Sequence, residues 1–172
     1  IPSKRESRRV FDLPGDARVL MYQTTWGQTT SLRSDFEREF DQGFQATLEA
    51  AHALDAQLIV KIHYHDLRPE REEYYARQME AAGVAGLVTR QHYTYAMRAA
   101  DCLIAQGPSN MCLDAGILGV PSVYLQTEGF DFATSLPARC GPDDLLGTVQ
   151  ETLDSPPDLG AFIREYNSVH PD

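Results

Sequence analysis

The residues best suited to bind a ligand lie in a short stretch that joins a buried strand to a helix. Residues 102–105 form an apolar run typical of a strand buried on both faces, and the turn pair Gly107-Pro108 follows it. Ser109 or Asn110 can then cap a helix, with Asp114 on an early turn. A helix that begins at the carboxyl end of a parallel strand directs unpaired N–H groups at the crevice there, whose usual occupant is phosphate. We therefore expect a phosphate site with Asp114 near ribose hydroxyls; an ordinary connection with a solvated aspartate is the alternative.

A second group of chemical side chains follows the second predicted strand. Lys61, His63 and His65 alternate there, so a period of two places them on one side. Imidazole can donate to a phosphate oxygen or transfer a proton near neutral pH, which makes His63 the candidate catalytic residue. The alternatives are a structural histidine at a strand end and a metal site that includes Asp66. The remaining histidines lie in helical or terminal contexts that add no ligands, so we expect no metal.

Loops after two further strands carry additional candidates. Thr25 and Trp26 lie in a polar loop that follows the first predicted strand, at the edge where open α/β sheets keep ligand contacts. A solvated connector whose Trp26 packs on a neighbouring helix is the alternative. Glu128 and Asp131, after the fifth predicted strand, are a candidate carboxylate pair, although such residues are more often solvated.

Several standard catalytic motifs do not occur in the sequence. The nearest approach to Gly-x-Ser-x-Gly is Gly107-Pro-Ser-Asn-Met, which lacks the second glycine of a nucleophile elbow. Neither Gly-x-x-x-x-Gly-Lys-Ser/Thr nor Gly-x-Gly-x-x-Gly is present. The sequence therefore opposes a serine hydrolase, a P-loop protein and a standard dinucleotide site.

Alternating strands and helices must position these residues. Apolar runs predict strands at residues 19–23, 57–63, 86–89, 102–105 and 121–126, with a short sixth near Arg139. Helical patterns lie between them and continue over residues 142–153 and 159–169. The helix that starts at a capping box, Ser34 to Glu37, has a predicted core face of Phe36, Phe40, Phe44, Leu48 and Ala51. This alternation predicts the α/β class, as a Rossmann-like, doubly wound parallel sheet with right-handed crossovers.

Composition limits the classes of partner. The chain has 172 residues with 42% hydrophobic content, enough for one substantial core. A formal net charge of −10 opposes a nucleic-acid or anionic-membrane surface. No apolar run approaches a spanning length of about 18 residues, and the first residues lack the apolar core of a signal peptide. Three cysteines without Cys-x-x-Cys spacing predict reduced, mostly buried thiols and a cytoplasmic protein.

Taken in order, the motifs resemble the C-terminal domain of GT-B glycosyltransferases over residues 17–172. The similarity is nearest to CDP-glycerol glycerophosphotransferases and related capsule and cell-wall transferases, with UDP-GlcNAc 2-epimerases further away. Met21-Tyr-Gln-Thr-Thr-Trp26 resembles a first strand that usually reads Leu-Tyr-x-Pro-Thr-Trp, and Lys61-Ile-His63 resembles Lys-x-His-Pro with Tyr64 in place of proline. Ser109-Asn110, Asp114-Ala115 and Leu118-Gly-Val-Pro121 resemble the family's Ser-Ser, Glu-Ala and Leu-Gly-x-Pro positions.

The resemblance implies a role for each matched residue. Ser109, Asn110 and Met111 would hold the donor's diphosphate, and Asp114 would take the ribose with a reach one methylene shorter than the usual glutamate. His63 would contact phosphate or assist departure of the leaving group. The other residues implied in the donor-nucleotide site are Thr25, Trp26, Lys61, His92 and Gly107.

The implied activity is that of a polysaccharide-biosynthesis enzyme, a transferase that moves a sugar or polyol phosphate from a nucleotide diphosphate donor to an acceptor. We expect no cofactor or metal, and no nucleic-acid partner. The acceptor site would belong to an N-terminal domain, so this piece alone would bind donor without turnover, and membrane contact would come through other domains. Residues 1–16 are charged, carry Pro2 and Pro14, and show no period, so we expect a linker there and one donor-binding domain over residues 17–172.

Two other functions remain open from the sequence. One is a UDP-sugar 2-epimerase, which requires more catalytic carboxylates than we can place. The other is a non-enzymatic, flavodoxin-like interaction module. A receiver of that kind needs an acidic pair after the first strand and an aspartate after the third, where this chain has hydroxyls and Thr89-Arg90.

Overall fold

The computed structural model describes residues 1–24, 34–64, 66, 68–90, 92–106, 111–126, 138–161 and 163–164. The strands are β1 (Val19–Gln23), β2 (Gln57–Lys61), β3 (Gly86–Thr89), β4 (Cys102–Gln106), β5 (Ser122–Leu125) and β6 (Arg139–Cys140). The helices are α1 (Lys4–Val10), α2 (Ser34–Ala53), α3 (Glu70–Ala81), α4 (Tyr93–Ala99), α5 (Met111–Ile117) and α6 (Leu145–Asp154). A 3-10 turn, Pro142–Asp144, precedes α6.

The six strands form one parallel sheet in the order β3-β2-β1-β4-β5-β6. On one side of β1, Val19 pairs with Gln57 of β2, and on the other side Leu20 pairs with Cys102 of β4. The strand order reverses between β1 and β4, so the connections after these two strands leave a crevice at the carboxyl edge of the sheet. The predicted doubly wound parallel sheet is confirmed, including the short sixth strand at Arg139.

Each face of the sheet is covered by its own apolar core. The first core joins the sheet to α2, α3 and α6, and the second joins it to α4 and α5. Because both faces are covered, successive residues of β1 enter opposite cores: Leu20 and Tyr22 belong to the first, Val19 and Met21 to the second. This explains why the central strands read as continuous apolar runs.

The long helix α2 is held by the apolar face that its sequence predicts. The buried members of that face are Phe40, Phe44, Leu48 and Ala51. The Phe44 ring packs edge-on against Tyr75 of α3, with ring centroids 4.8 Å apart. The side chains of the predicted capping box and of Phe36 lie outside the described residues.

The segment expected to be a linker contains helix α1. A capping box begins this helix, because the Glu6 N–H donates to the Ser3 hydroxyl at 3.2 Å and the Ser3 N–H donates to Glu6 Oε2 at 2.8 Å. The buried Arg8 donates to the Ala99 carbonyl at 3.2 Å and to Asp101 Oδ2 at 2.9 Å. A seven-residue helix is too short to show a period in sequence. The residues expected to be a linker therefore include a helix that the sequence analysis did not predict, while the linker role and the domain boundary at residue 17 stay predictions.

Other element ends differ from the sequence prediction by a turn or less. Gly83 and Gly119 end α3 and α5 as predicted, with φ of +66° and +71°, which a residue with a side chain rarely adopts. β2 ends at Lys61, two residues before the predicted end. Residues 159–161 and 163–164 are helical, and the rest of the predicted last helix lies outside the described residues.

The three cysteines are structural. Cys102, Cys112 and Cys140 are free and buried, as predicted. Burial raises the pKa of the Cys102 thiol to about 12 and that of the Cys112 thiol to about 11, so neither is a thiolate at neutral pH. In the part of the chain that the structure describes, no helix is both long and apolar enough to cross a membrane.

Candidate functional site at the carboxyl edge of the sheet

The predicted site lies where β1 to β4 end. The predicted site residues within the described chain are Lys61, His63, His92, Met111 and Asp114. Those outside it are Thr25, Trp26, Gly107, Ser109 and Asn110, together with the alternative candidates His65, Glu128 and Asp131. The geometry below therefore concerns the first group, and the roles of the second group stay predictions.

His63 lies at the rim and is fixed through its backbone to β1. The Thr24 N–H donates to the Lys61 carbonyl at 3.0 Å, and the His63 N–H donates to the Thr24 hydroxyl at 2.9 Å. The His63 ring stacks on Tyr64, with centroids 4.6 Å apart and an interplanar angle of 26°. Tyr64 is 71% exposed. This arrangement places a partly buried imidazole at the edge of the crevice, where it could donate or accept a proton.

Lys61 directs its ammonium group at the backbone. Nζ donates to the Ile62 carbonyl at 2.8 Å and to the Arg90 carbonyl at 2.9 Å, and the residue is 5% exposed. Burial, and to a lesser degree the Arg90 charge, lowers the pKa of Lys61. Lys61 therefore ties together the ends of β2 and β3, and contact with a donor stays a prediction.

A buried carboxylate organises the loop after β2. Asp66 is fully buried and accepts from Nε and Nη2 of Arg68, each at 2.9 Å, while Arg71 Nε lies 3.7 Å from Oδ2. Burial opposes ionisation of Asp66, but the Arg68 hydrogen bonds and the Arg71 charge lower the pKa of this carboxyl overall. The Asp66 carboxylate, which the alternative interpretation of a metal site included, is thus paired with Arg68 and Arg71. The described residues contain no cluster of three or more His, Cys, Asp or Glu side chains able to hold a metal ion.

Arg90, which immediately follows β3, also holds the loop after β2 in place. Its guanidinium donates to the Asp66 carbonyl and, at 2.6 Å, to the Arg68 carbonyl. Nε of Arg90 also lies 2.5 Å from Glu72 Oε1 on α3. Arg90 therefore connects the loop that carries His63 to the end of β3 and to α3, and these contacts hold the loop in place.

Asp114 is paired with a tyrosine across two helices. The Tyr93 hydroxyl, at the start of α4, donates to Asp114 Oδ2 at 2.5 Å, and Asp114 lies in the first turn of α5. Burial, and secondly the hydrogen bond to Asp114, raises the pKa of Tyr93 well above its ordinary value. Met111 begins α5 and is partly buried. The described start of α5 therefore carries a carboxylate in a fixed orientation.

His92 precedes α4 in an uncommon backbone conformation. Its φ is +55°, in the left-handed region that residues with side chains rarely adopt. The imidazole meets Tyr95 and Phe11 edge-on, with centroids 5.9 Å and 6.2 Å away. The predicted site residue is thus held between α4 and the chain that follows α1.

Polar side chains near the carboxyl ends of β1 and β4 are buried and close-packed against α2. The Tyr22 hydroxyl donates to Gln106 Oε1 at 2.8 Å, and burial raises the pKa of Tyr22. A Cβ on Gly43 of α2 would lie 2.3 Å from the same Oε1, so a larger residue at this position requires the Gln106 amide to shift. Gln23 donates through Nε2 to the Thr24 carbonyl at 2.7 Å, while its buried Oε1 accepts no hydrogen bond from the described residues.

A pocket of about 380 Å³ opens at the opposite edge of the sheet. It is lined by Asp16, His52, Asp55 and Gln57, among others. These residues lie at or before the amino ends of β1 and β2, so the pocket is separate from the candidate site, and ligands of such sheets bind at the carboxyl edge.

The sequence-predicted residues that the structure describes include one set at the end of β2 and another at the start of α5. Lys61 ends β2 and His63 lies two residues beyond it, while Met111 and Asp114 follow β4, and β1 lies between the two strands. Two strand spacings correspond to roughly 10 Å. That span suits an extended ligand that has one end on each side.

Solved structures share this architecture. The wall teichoic acid polymerase TagF aligns with 98% of this chain, with a TM-score of 0.56 and 17% identity. The UDP-GlcNAc 2-epimerases of Methanocaldococcus jannaschii and Neisseria meningitidis align with 96% and 98% of it, with TM-scores of 0.61 and 0.63 and identities of 14% and 11%. The first epimerase was solved with UDP-GlcNAc and UDP, the second with UDP-GlcNAc.

This chain has the fold of one half of a GT-B protein. The predicted resemblance is confirmed at the level of fold. Sequence identities this low do not allow the activity of the neighbours to be assigned to this chain. The chain spans 42% of the TagF chain and 48% of each epimerase chain, less than half of these neighbours. A scan against protein-family models and a search of curated proteins find no match.

Sequence reasoning missed three residues that shape the site. Thr24 was identified only as the replacement for a family proline, yet its hydroxyl accepts the His63 N–H. Arg90 was noted only as an argument against a receiver domain, and Tyr93 was not noted at all. A phenol at the first position of a helix after a rim loop is the one sequence signal that could have indicated Tyr93.

Proposed function

We propose that this chain is the donor-nucleotide-binding half of a GT-B transferase that moves a sugar or polyol phosphate from a nucleotide diphosphate carrier to an acceptor. The supporting observation is the crevice at the β1–β4 reversal, bordered by His63 on one side and Asp114 on the other, in a fold whose solved neighbours include TagF and a glycotransferase of kitacinnamycin. The other half of the GT-B fold would supply the acceptor.

The proposed chemistry follows from the charge that develops on the donor. When the acceptor oxygen forms its new bond, a base on the other half of the GT-B fold would take the hydroxyl proton. The bond between the transferred group and the nucleotide breaks, and negative charge accumulates on the departing phosphate. N–H groups at the start of α5 and a proton from His63 would stabilise that charge. Closure of the two halves would bring the acceptor into line and exclude water.

Calorimetric titration of the chain with UDP, CDP, GDP and ADP tests the proposal. We expect one diphosphate to bind, and Asp114→Ala to weaken it by about 1–3 kcal/mol, roughly 5- to 150-fold, because a hydrogen bond to a buried partner is lost. His63→Ala should also weaken binding, through loss of the phosphate contact.

Asp41→Ala is the matched control. Asp41 also accepts a tyrosine hydroxyl, from Tyr74 at 3.2 Å, but it lies on α2 over the opposite face of the sheet. Its loss should leave nucleotide affinity unchanged. Absence of binding by all four diphosphates, in this chain and in a longer protein that contains it, would contradict the proposal.

A UDP-sugar 2-epimerase is the second candidate, because the two epimerases give higher TM-scores than TagF. Incubation of a protein with both halves and UDP-GlcNAc, followed by chromatography of the nucleotide sugars, separates the two functions. Conversion without an added acceptor would favour the epimerase, and consumption that depends on an acceptor would favour the transferase.

A further inference from the structure

The loop after β2 stacks a tyrosine on the imidazole that borders the crevice. The centroids of the His63 and Tyr64 rings lie 4.6 Å apart, with an interplanar angle of 26°. Tyr64 is 71% exposed and belongs to neither core of the described residues, so packing of the domain does not account for an aromatic residue here. The family that the sequence resembles usually has proline at this position, so the stacked ring is a feature of this chain.

The main chain on both sides of His63 is held by hydrogen bonds. The His63 N–H donates to the Thr24 hydroxyl at 2.9 Å, and the His63 carbonyl accepts the Asp66 N–H at 2.9 Å. Such backbone contacts do not set the rotamer of the imidazole, and stacking on Tyr64 restricts it. The tyrosine therefore contributes to the direction in which the imidazole points.

The charges around this loop oppose a protonated imidazole. Cations outnumber carboxylates among the charged groups on the elements that meet the loop, and these groups are Lys61 on β2, Asp66 and Arg68 in the loop, Arg71 and Glu72 on α3, and Arg90 after β3. Thr24, the contact from β1, is uncharged, and His65 lies outside the described residues. Asp66 is already paired with two arginines, and His63 is partly buried. Because nearby cations and burial both disfavour imidazolium, a proton donor near neutral pH requires a contact that favours its charge.

The face of the Tyr64 ring provides such a contact. The electron-rich face of an aromatic ring attracts a cation that lies within about 6 Å of its centroid, and the His63 ring lies within that distance. A neutral imidazole gains only the weaker attraction between two stacked rings. The stack therefore stabilises the protonated form of His63 more than the neutral form.

We propose that Tyr64 is a positioning residue that orients the His63 imidazole and favours its protonated form, so that His63 meets the departing phosphate as a proton donor. The proton passes from the imidazolium to an oxygen of that phosphate, which leaves the imidazole neutral until solvent returns a proton. The inference rests on the proposed function, which assigns the proton transfer to His63.

NMR titration of the His63 Cε1–H signal tests the inference in this chain without a nucleotide, and the spectrum of His63→Gln assigns the signal. We expect Tyr64→Leu, which keeps an apolar side chain but removes the ring, to lower the measured pKa of His63 by about 0.5, the size of a cation–π contact at an exposed site. Tyr64→Phe is the matched control, because it keeps the ring and removes only the hydroxyl, and it should retain the wild-type value. Thermal melts should show that both variants fold, since the replaced side chain is mostly exposed.

Two results of the titration would overturn the inference. The first is an equal pKa of His63 in the wild-type chain and in Tyr64→Leu. The second is a decrease in Tyr64→Phe as large as that in Tyr64→Leu, which would assign the effect to the phenol hydroxyl and not to the ring.

Nucleotide affinity separates this inference from the proposed function. Tyr64→Leu should bind the diphosphate that the wild-type chain binds up to about threefold more weakly at pH 8, and equally well at pH 5.5, where His63 is protonated in both proteins. An equal loss at both pH values would indicate direct contact between Tyr64 and the nucleotide, which overturns the inference and leaves the proposed function standing. Failure of every diphosphate to bind overturns the proposed function, while the NMR titration still decides whether Tyr64 favours the imidazolium.

Discussion

At the scale of single residues, ionic groups near the rim support the loops around the crevice. Asp66 follows His63 closely in sequence, and residue types alone allow both to bind one metal. In the structure, both Asp66 oxygens instead contact arginine side chains, and the Lys61 ammonium donates to two backbone carbonyls. The role of each ionic side chain was therefore not predictable from its residue type alone, because it depends on the group that the side chain contacts. A buried carboxylate requires compensation by a cation, and the fold decides which cation lies near it.

The role of Asp66 predicts a pH-dependent loss of stability. Asp66→Asn removes a buried charge from two arginines, and we expect it to lower the free energy of unfolding by about 2–3 kcal/mol at pH 7. The folded pKa of Asp66 lies below its unfolded value near 4, so the ionic stabilisation is complete above that value and is lost as pH falls through the folded pKa. Urea denaturation at pH 7, 5, 4 and 3 should show the variant and the wild type converging below about pH 4.

Asp158→Asn is the control for this series. Its ion pair with Arg164 is exposed, with side chains 72% and 74% accessible, so removal of that charge should change stability little at any pH. Equal stability of Asp66→Asn and the wild type at pH 7 would show that the buried pair contributes nothing net.

At the scale of elements, the sequence was most informative where an element is long or buried. The apolar face of α2 and the runs of β1 and β4 have clear periods or continuous apolar character, so their positions were predicted to within a residue. The short helix α1 and the hydrogen bond between Tyr93 and Asp114 were not predicted. A helix of seven residues, five of them charged, shows no period, and a contact between two helices depends on the packing of the whole domain.

The approach of α2 to β4 gives a prediction at this scale. In Gly43→Ala the new Cβ would overlap Gln106 Oε1, and displacing that buried amide would break its hydrogen bond from Tyr22. We expect the free-energy cost of this overlap and of the broken hydrogen bond to exceed the stabilisation that alanine's higher helix propensity provides. The free energy of unfolding should therefore fall by about 1–2 kcal/mol. Gly147→Ala in α6 is the matched control, since nothing lies within 4 Å of its Cβ, and it should stabilise the chain by about 0.5–1 kcal/mol. Chemical denaturation of both variants gives the two values, and stabilisation of equal size in each would rule out the overlap.

At the scale of the whole molecule, one cation links the first residues of the chain to the centre of the sheet. Arg8 donates to the carbonyls of Ala99 and Gly15 and to Asp101, which itself accepts the Val19 N–H at 2.7 Å. Val19 begins β1 and Asp101 immediately precedes β4, so the network reaches the two strands that border the crevice. Residues 1–16, which look like a linker in sequence, therefore contact the core of the domain.

Replacement of this cation tests whether those residues belong to the folding unit. Arg8→Met keeps most of the apolar stem but leaves two carbonyls and a carboxylate with fewer donors, and we expect the free energy of unfolding to fall by about 2–4 kcal/mol. Arg9→Met, one residue further along α1 and exposed, should change it by no more than about 0.5 kcal/mol. Because Asp101 also holds the start of β1, the loss should appear in a single cooperative transition shared by the whole domain. A separate early transition, or equal values for the two variants, would show instead that α1 folds apart from the sheet and that residues 1–16 act as a linker.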